Sequence, residues 1–170
     1  MTDMGETSLV LGIEIKRDRQ LGTLTISQED ILERFGMSDC KPTCTPGYGP
    51  DLSNKQPEDI LLDEEETRRY QGIVGCLMYI AQGLRYDLIY ATGQLARPMS
   101  KPSKVHLVAA KHALRYLAGT TDFHITYKKE RFKLAAFSDS NWANNPDNGK
   151  STSCYLMNAT NAPDLSLIHI

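Results

Sequence analysis

Two hydrophobic periods alternate along this chain, and the points where one gives way to the other divide it into parts. Residues 8–15 are apolar and β-branched, residues 21–27 alternate leucine, threonine and isoleucine, and the polar stretch 16–20 lies between them with Gly22 just after. A period of two broken by polar residues and glycine predicts a β-hairpin. Ser27 stands as a helix N-cap with Asp30 three residues on, which predicts a short helix over 28–35 closed by Gly36. From 37 to 58 the chain carries Pro42, Pro46, Pro50 and Pro57 with Gly47 and Gly49, so this stretch is expected to run extended, without regular structure, as a linker.

Beyond the linker the period changes to 3.6. Over 65–82, Tyr70, Ile73, Val74, Leu77, Met78, Ile80 and Ala81 fall on one broad face, with Gly72 and Gly75 allowing close approach of a neighbouring helix. Asp87 is placed to cap a second helix through Ala96, ended by Pro98. Ser103 is placed to cap a third through Leu117, closed by Gly119. In the third helix, about 100° per residue gathers Leu107, Ala110, Ala113, Leu114 and Leu117 on one side. Lys104, Lys111 and Arg115 share an adjoining edge. Strand patterns return at 123–128, 132–138 and 151–157. The fold class implied is α+β: hairpin and short helix, extended Pro-rich linker, three-helix region, then a further sheet.

Composition narrows the functional classes. With 41% hydrophobic residues in 170, the chain can bury a core. It has no run of about 18 apolar residues and no charged-then-apolar leader, so a membrane span or secretion is not expected and an intracellular setting is. Cys40, Cys44, Cys76 and Cys154 are too scattered for a disulfide scaffold and are read as thiols. His106, His112 and His124 are not spaced as a metal site. The net charge of −2 hides an uneven distribution. Residues 51–66 hold Asp51, Glu58, Asp59, Asp63, Glu64, Glu65 and Glu66 against Lys55. Residues 97–133 hold Arg97, Lys101, Lys104, Lys111, Arg115, Lys128, Lys129, Arg131 and Lys133 against Asp122 and Glu130. The second stretch is a candidate phosphate-facing surface.

Three segments carry a resemblance. Residues 70–75 read Tyr-Gln-Gly-Ile-Val-Gly and residues 115–121 read Arg-Tyr-Leu-Ala-Gly-Thr-Thr. Residues 137–153 read Phe-Ser-Asp-Ser-Asn-Trp-Ala-Asn-Asn-Pro-Asp-Asn-Gly-Lys-Ser-Thr-Ser. Together and in this order they resemble the Pol polyprotein of copia-type LTR retrotransposons at the junction of reverse transcriptase and ribonuclease H. The resemblance implies a palm-like end of the reverse transcriptase over 1–45, a Pro/acidic linker over 46–64, a thumb/connection region over 65–121 and a truncated ribonuclease H-like sheet over 122–160. It makes Asp139 the first metal-binding carboxylate of a ribonuclease H site, with Mg2+ as the family's cofactor. It makes Leu11, Gly12, Ile13, Glu14 and Ile15 part of the hairpin that steadies a primer end. It makes Lys104, Lys111 and Arg115 contacts to an RNA–DNA hybrid or template–primer duplex.

The sequence departs from the family at Tyr86, where a proline is usual, and at Cys154, where a glycine is. It contains no Asp-Asp pair such as a polymerase uses, and Asp147 lies in a turn-forming context and is given no catalytic role. The expectation is therefore a chain that is enzymatic by descent, catalytically incomplete, and binds no metal by itself. A non-catalytic nucleic-acid-binding module and a structural helical domain that docks protein through its acidic segment stand as alternatives. Residues 165–170, Leu-Ser-Leu-Ile-His-Ile, resemble the translation of a sequencing-library adapter, which marks 161–170 as a non-native tail. The other reading is an apolar edge strand.

Overall fold

The computed structural model of the chain describes residues 5–28, 31–129, 131, 133–143, 145, 147–159 and 162–169. Strands β1 (Leu9–Val10), β2 (Ile13–Asp18), β3 (Thr23–Gln28) and β4 (Ile125–Lys128) form one antiparallel sheet in that order. Helices α1 (Glu64–Gly83), α2 (Ile89–Ala96) and α3 (Lys104–Ala118) make the helical block. Strands β5 (Leu134–Asn141), β6 (Thr152–Ala159) and β7 (Ala162–His169) form a second antiparallel sheet. The architecture is α+β.

The apolar stripe of α1 behaves as its periodicity predicts. Tyr70, Ile73, Val74 and Leu77 are buried against Leu88, Leu95, Ala110, Ala113 and Leu114 in one core that also takes Leu32. Asp63 caps α1, its carboxylate accepting the Glu66 N–H at 2.8 Å, and Glu64, Glu65 and Glu66 complement the helix dipole in the first turn. The Tyr70 hydroxyl donates to the Leu95 carbonyl at 2.5 Å, so a buried polar group is satisfied between α1 and α2.

Strand register explains the first sheet. Ile15, Ile26 and Ile125 stand in one row across β2, β3 and β4, and Ile125 is buried. The alternate row pairs the hydroxyls of Thr25 and Thr126 at 3.3 Å, while the Ser27 hydroxyl donates to the Glu14 carboxylate at 3.1 Å. One face of the sheet is thus packed and the other is polar, as period-two patterning requires.

Several expectations are corrected. The strand expected over 8–15 is broken by a turn at Leu11 and Gly12, whose φ values of 51° and 79° are both positive, and β1 folds back on β2. Two positive φ angles between paired strands define the tight hairpin turn of right-handed twist, for which glycine suits the second position. The helix expected over 28–35 is reduced to a single 3-10 turn, Glu33–Phe35, closed by a left-handed Gly36. Ser27, expected as its cap, is instead a strand residue bonded to Glu14, and Asp30 lies outside the described residues. Asp87 does not cap α2; it sits in the 3-10 turn Tyr86–Leu88, and its carboxylate is held by Arg85 at 2.8 and 3.0 Å and by the Tyr116 hydroxyl at 2.7 Å. Two donors out-compete a terminal amide for the same oxygens.

The segment expected as one sheet over 122–160 divides. β4 pairs with β3, Thr23 to Ile26 facing Lys128 to Ile125, because Ile125 completes the buried row of the first sheet. β5 pairs with β6 along its whole length, and β7 pairs with β6 as the last strand of that order. Phe132, expected to begin β5, lies outside the described residues. The apolar end of the chain is thus paired as a strand through residue 169.

The proline-rich stretch has no helix or strand before the 3-10 turn Glu58–Ile60, yet it is tied down along α3. The Thr43 N–H donates to the Arg115 carbonyl at 3.3 Å, the Arg115 guanidinium to the Lys41 carbonyl at 2.6 Å, and His112 bonds the Thr45 carbonyl at 3.0 Å. Further on, the Leu62 N–H donates to the Pro102 carbonyl at 2.9 Å, beside a bridge between Leu61 and Ser103. The chain therefore runs antiparallel to α3 as a strap. Gly119 matches the close of α3, but its φ of −85° needs no glycine. Space does: an added Cβ would meet Pro42 Cβ at 3.1 Å and the Thr43 carbonyl oxygen at 3.3 Å.

Candidate nucleic-acid interface

Three sets of residues are expected to touch nucleic acid or metal, and the fold treats each differently. Lys104 and Lys111 stand two turns apart on α3, with Val108, 47% exposed, between them. Neither lysine has an ion-pair partner among the described residues. Arg115 continues the same edge, but its guanidinium Nε is spent on the Lys41 carbonyl, so it fastens the strap. The strap brings Lys41 to this end of α3, an addition that sequence reasoning missed because Lys41 lies 74 residues from Arg115.

The hairpin Leu9 to Ile15 is tied to the helical block. The Tyr79 hydroxyl of α1 donates to the Leu11 carbonyl at 2.8 Å, and a methyl placed at Gly83 would meet Ile13 Cδ1 at 3.9 Å, an ordinary contact. Leu9, Val10 and Leu11 are exposed, Leu11 to 82%. Of the five residues expected here, Leu11 and Gly12 form the turn and Ile13, Glu14 and Ile15 begin β2. Tyr79 could not be singled out from sequence, where it reads as one more aromatic residue beside a buried stripe.

Asp139 lies in β5, exposed, facing Cys154 across the β5–β6 ladder. Magnesium is held by several hard oxygen ligands, and a two-ion centre needs carboxylates that converge. Among the described residues no group of three or more His, Cys, Asp or Glu is placed to hold a metal ion. Among the described residues, those around Asp139 do not by themselves fit such a centre.

Three of the acids of 51–66 have local partners. Asp51 accepts from the Ser53 N–H and hydroxyl at 2.9 and 3.0 Å, Asp63 caps α1, and Glu64 pairs with Arg68 at 3.2 Å. A different polar centre emerges at the start of α3. His106 Nδ1 accepts the Ser103 N–H at 2.9 Å and lies 3.0 Å from the Ser103 hydroxyl, completing a capping box. Among the described residues neither His106 Nε2 nor Asp147 Oδ2, both buried, has a hydrogen-bond partner. Burial holds the His106 imidazole below its ordinary value, against the opposing pull of the Leu52 and Ser53 carbonyls and the Asp147 and Asp51 carboxylates. Asp147 also accepts the Asn54 N–H at 2.8 Å, so the β5–β6 turn docks on the strap beside α3. Near the other end, burial works to raise the Asp87 carboxyl, but the hydrogen bonds from Arg85 and Tyr116 hold it below its ordinary value. Arg85, buried, also donates to the Thr120 carbonyl at 2.9 Å and so joins the ends of α1 and α3.

With this arrangement in view, the relatives are informative. The chain is 34% identical over 163 residues to the retrovirus-related Pol polyprotein of transposon TNT 1-94 from Nicotiana tabacum, covering 92% of this chain and 12% of that protein. It is 39% identical over 161 residues to the retrovirus-related Pol polyprotein of transposon RE1 from Arabidopsis thaliana, covering 91% of this chain and 10% of that protein. It is also 39% identical over 153 residues to that of transposon RE2 from the same plant, covering 86% of this chain and 10% of the relative. No protein-family model matches the chain, and no solved structure does. The chain belongs to the copia-type Pol polyproteins and spans 10–12% of the length of these relatives. Among the described residues no helix is long and apolar enough to cross a membrane.

Proposed function

We propose that this chain comes from the part of a copia-type Pol polyprotein that joins reverse transcriptase to ribonuclease H, and that it grips an RNA–DNA hybrid without cutting it. The observation that carries this reading is the edge of α3: Lys104 and Lys111 stand on one helical face with no ion-pair partner among the described residues. Backbone charge is what a protein needs to hold a duplex whose sequence it does not read. The hairpin at Leu11 to Ile15, bonded to α1 through Tyr79, supports a role in steadying one end of such a duplex. On this reading the chain acts inside the cell, and Mg2+ belongs to the intact enzyme.

The test is a salt titration of hybrid binding by the purified chain and by the double variant Lys104→Ala with Lys111→Ala. Arg115 is left in place because it holds the strap. The variant is expected to bind more weakly at low salt, and the slope of log affinity against log salt to fall by about 0.9 for each phosphate no longer neutralised. An unchanged slope would reject this edge as the duplex contact. A complex insensitive to salt would favour the remaining reading, a helical domain whose partner is protein.

A further inference from the structure

The first sheet is exposed at its β2–β3 turn end, and what it carries there is mostly basic. Rows across the sheet read Ile15, Ile26, Ile125, and two residues further along Arg17, Leu24, Tyr127. The packed face therefore changes from buried and half-buried isoleucine to exposed arginine and tyrosine without changing sides. The next row on the other face ends in Lys128, opposite Thr23, and the Lys129 N–H donates to the Gly22 carbonyl at 2.8 Å. A concavity of about 550 Å³ opens here, lined among others by Arg17, Asp18, Arg19, Tyr127, Lys128 and Lys129.

Among the described residues, Asp18 is turned to the β2–β3 turn and Glu6 bonds Arg19, with a weaker pull from Arg17. Asp18 accepts the N–H groups of Gln20 and Leu21, both at 2.8 Å, and so holds the β2–β3 turn. Glu6 takes the Arg19 guanidinium through Nε at 2.7 Å and through a second contact from Nη2. Arg17, Lys128 and Lys129 have no ion-pair partner among the described residues. Two stretches more than a hundred residues apart in sequence thus contribute cations to one hollow.

We propose that this hollow binds single-stranded nucleic acid, with Arg17 and Lys129 on successive phosphates, Tyr127 as a stacking surface for a base and Lys128 adding charge from the other face of the sheet. Unpaired cations beside an exposed ring are the pair of features that single-strand sites combine, charge along the backbone and a π-face for the bases. A free phosphate would need far less room and no ring. The site is separate from the α3 edge: it belongs to the sheet, it reads a strand in place of a duplex, and it does not rest on the duplex reading.

Fluorescence anisotropy with a labelled single-stranded oligonucleotide of about 12 nucleotides tests this, within the usual site size of such proteins. The variant Arg17→Ala with Lys129→Ala is expected to bind at least about tenfold more weakly at low salt, with the salt slope reduced by about 0.7 for each phosphate left without its cation. Tyr127→Val is expected to weaken single-strand binding by about tenfold while leaving the slope unchanged. The charge-keeping pair Arg17→Lys with Lys129→Arg should retain the slope, which separates removal of charge from failure to fold. Lys104→Ala with Lys111→Ala should lower hybrid binding and spare the single strand. Wild-type slopes in the charge-removing variant would overturn the site while leaving the duplex reading intact. So would a polyaspartate peptide that binds the hollow as tightly as the oligonucleotide, which would make its partner an acidic protein.

Discussion

Leu11 holds a left-handed backbone, φ 51°, on a side chain that is 82% exposed. Left-handed geometry costs a non-glycine residue about 1 kcal/mol or more, and little apolar burial offsets it here. A residue that is strained and exposed at a hairpin tip contributes little to stability, which agrees with a contact made outside the chain. Replacing it by asparagine, which suits the first position of such a turn, is expected to raise the unfolding free energy by about 1 kcal/mol in urea denaturation. A lower stability would mean that Leu11 packs against the protein. Other single residues show where local rules stop. Ser27 and Asp87 have the chemistry of helix caps, and both were legible as such, yet Glu14 claims one and Arg85 with Tyr116 claims the other. Asp63 and Ser103, which meet no stronger partner, do cap their helices. Capping competes with every other donor or acceptor the fold brings near, and sequence displays only the local ones.

Among the elements, the helices were the most legible, because a 3.6-residue period that buries Tyr70, Ile73, Val74 and Leu77 has one solution. The strap was half legible. Four prolines and two glycines exclude regular structure, but they carry no trace of the carbonyls of Lys41 and Thr45 that Arg115 and His112 will take. The strap also encloses His106. Burial disfavours the charged form of that imidazole and lowers its pKa in the folded chain, with the carbonyls of Leu52 and Ser53 and the carboxylates of Asp147 and Asp51 pulling the other way and the Tyr70 ring 6.5 Å off. Its folded value is lowered, so on acidification the unfolded chain takes the proton first. Stability present above the ordinary imidazole range is then lost as the pH falls through it, and the lowered Asp87 adds a further loss at more acidic pH. Urea denaturation at pH 7.5 and 5.5 should show the lower stability at 5.5, and His106→Gln should flatten the difference. Greater stability at 5.5 would mean that the proton is welcome there, paired with Asp147.

At the scale of the whole molecule, the pairing of β4 with β3 joins residues about a hundred positions apart, and no local pattern reports it. The order of motifs along the chain did report the family, since each short segment is weak evidence but their succession is specific. It also pointed to Asp139, and there the structure adds what sequence could not: the residue is exposed on β5, facing Cys154, with no cluster of metal ligands among the described residues. As proposed, the chain holds a hybrid by charge and does not cut it. A labelled RNA–DNA hybrid incubated with the purified chain and Mg2+, followed both for retention and for cleavage, tests that directly. The predicted result is a complex that dissolves steeply as salt rises and a hybrid that stays intact. Mg2+-dependent cleavage that disappears in Asp139→Asn would contradict it.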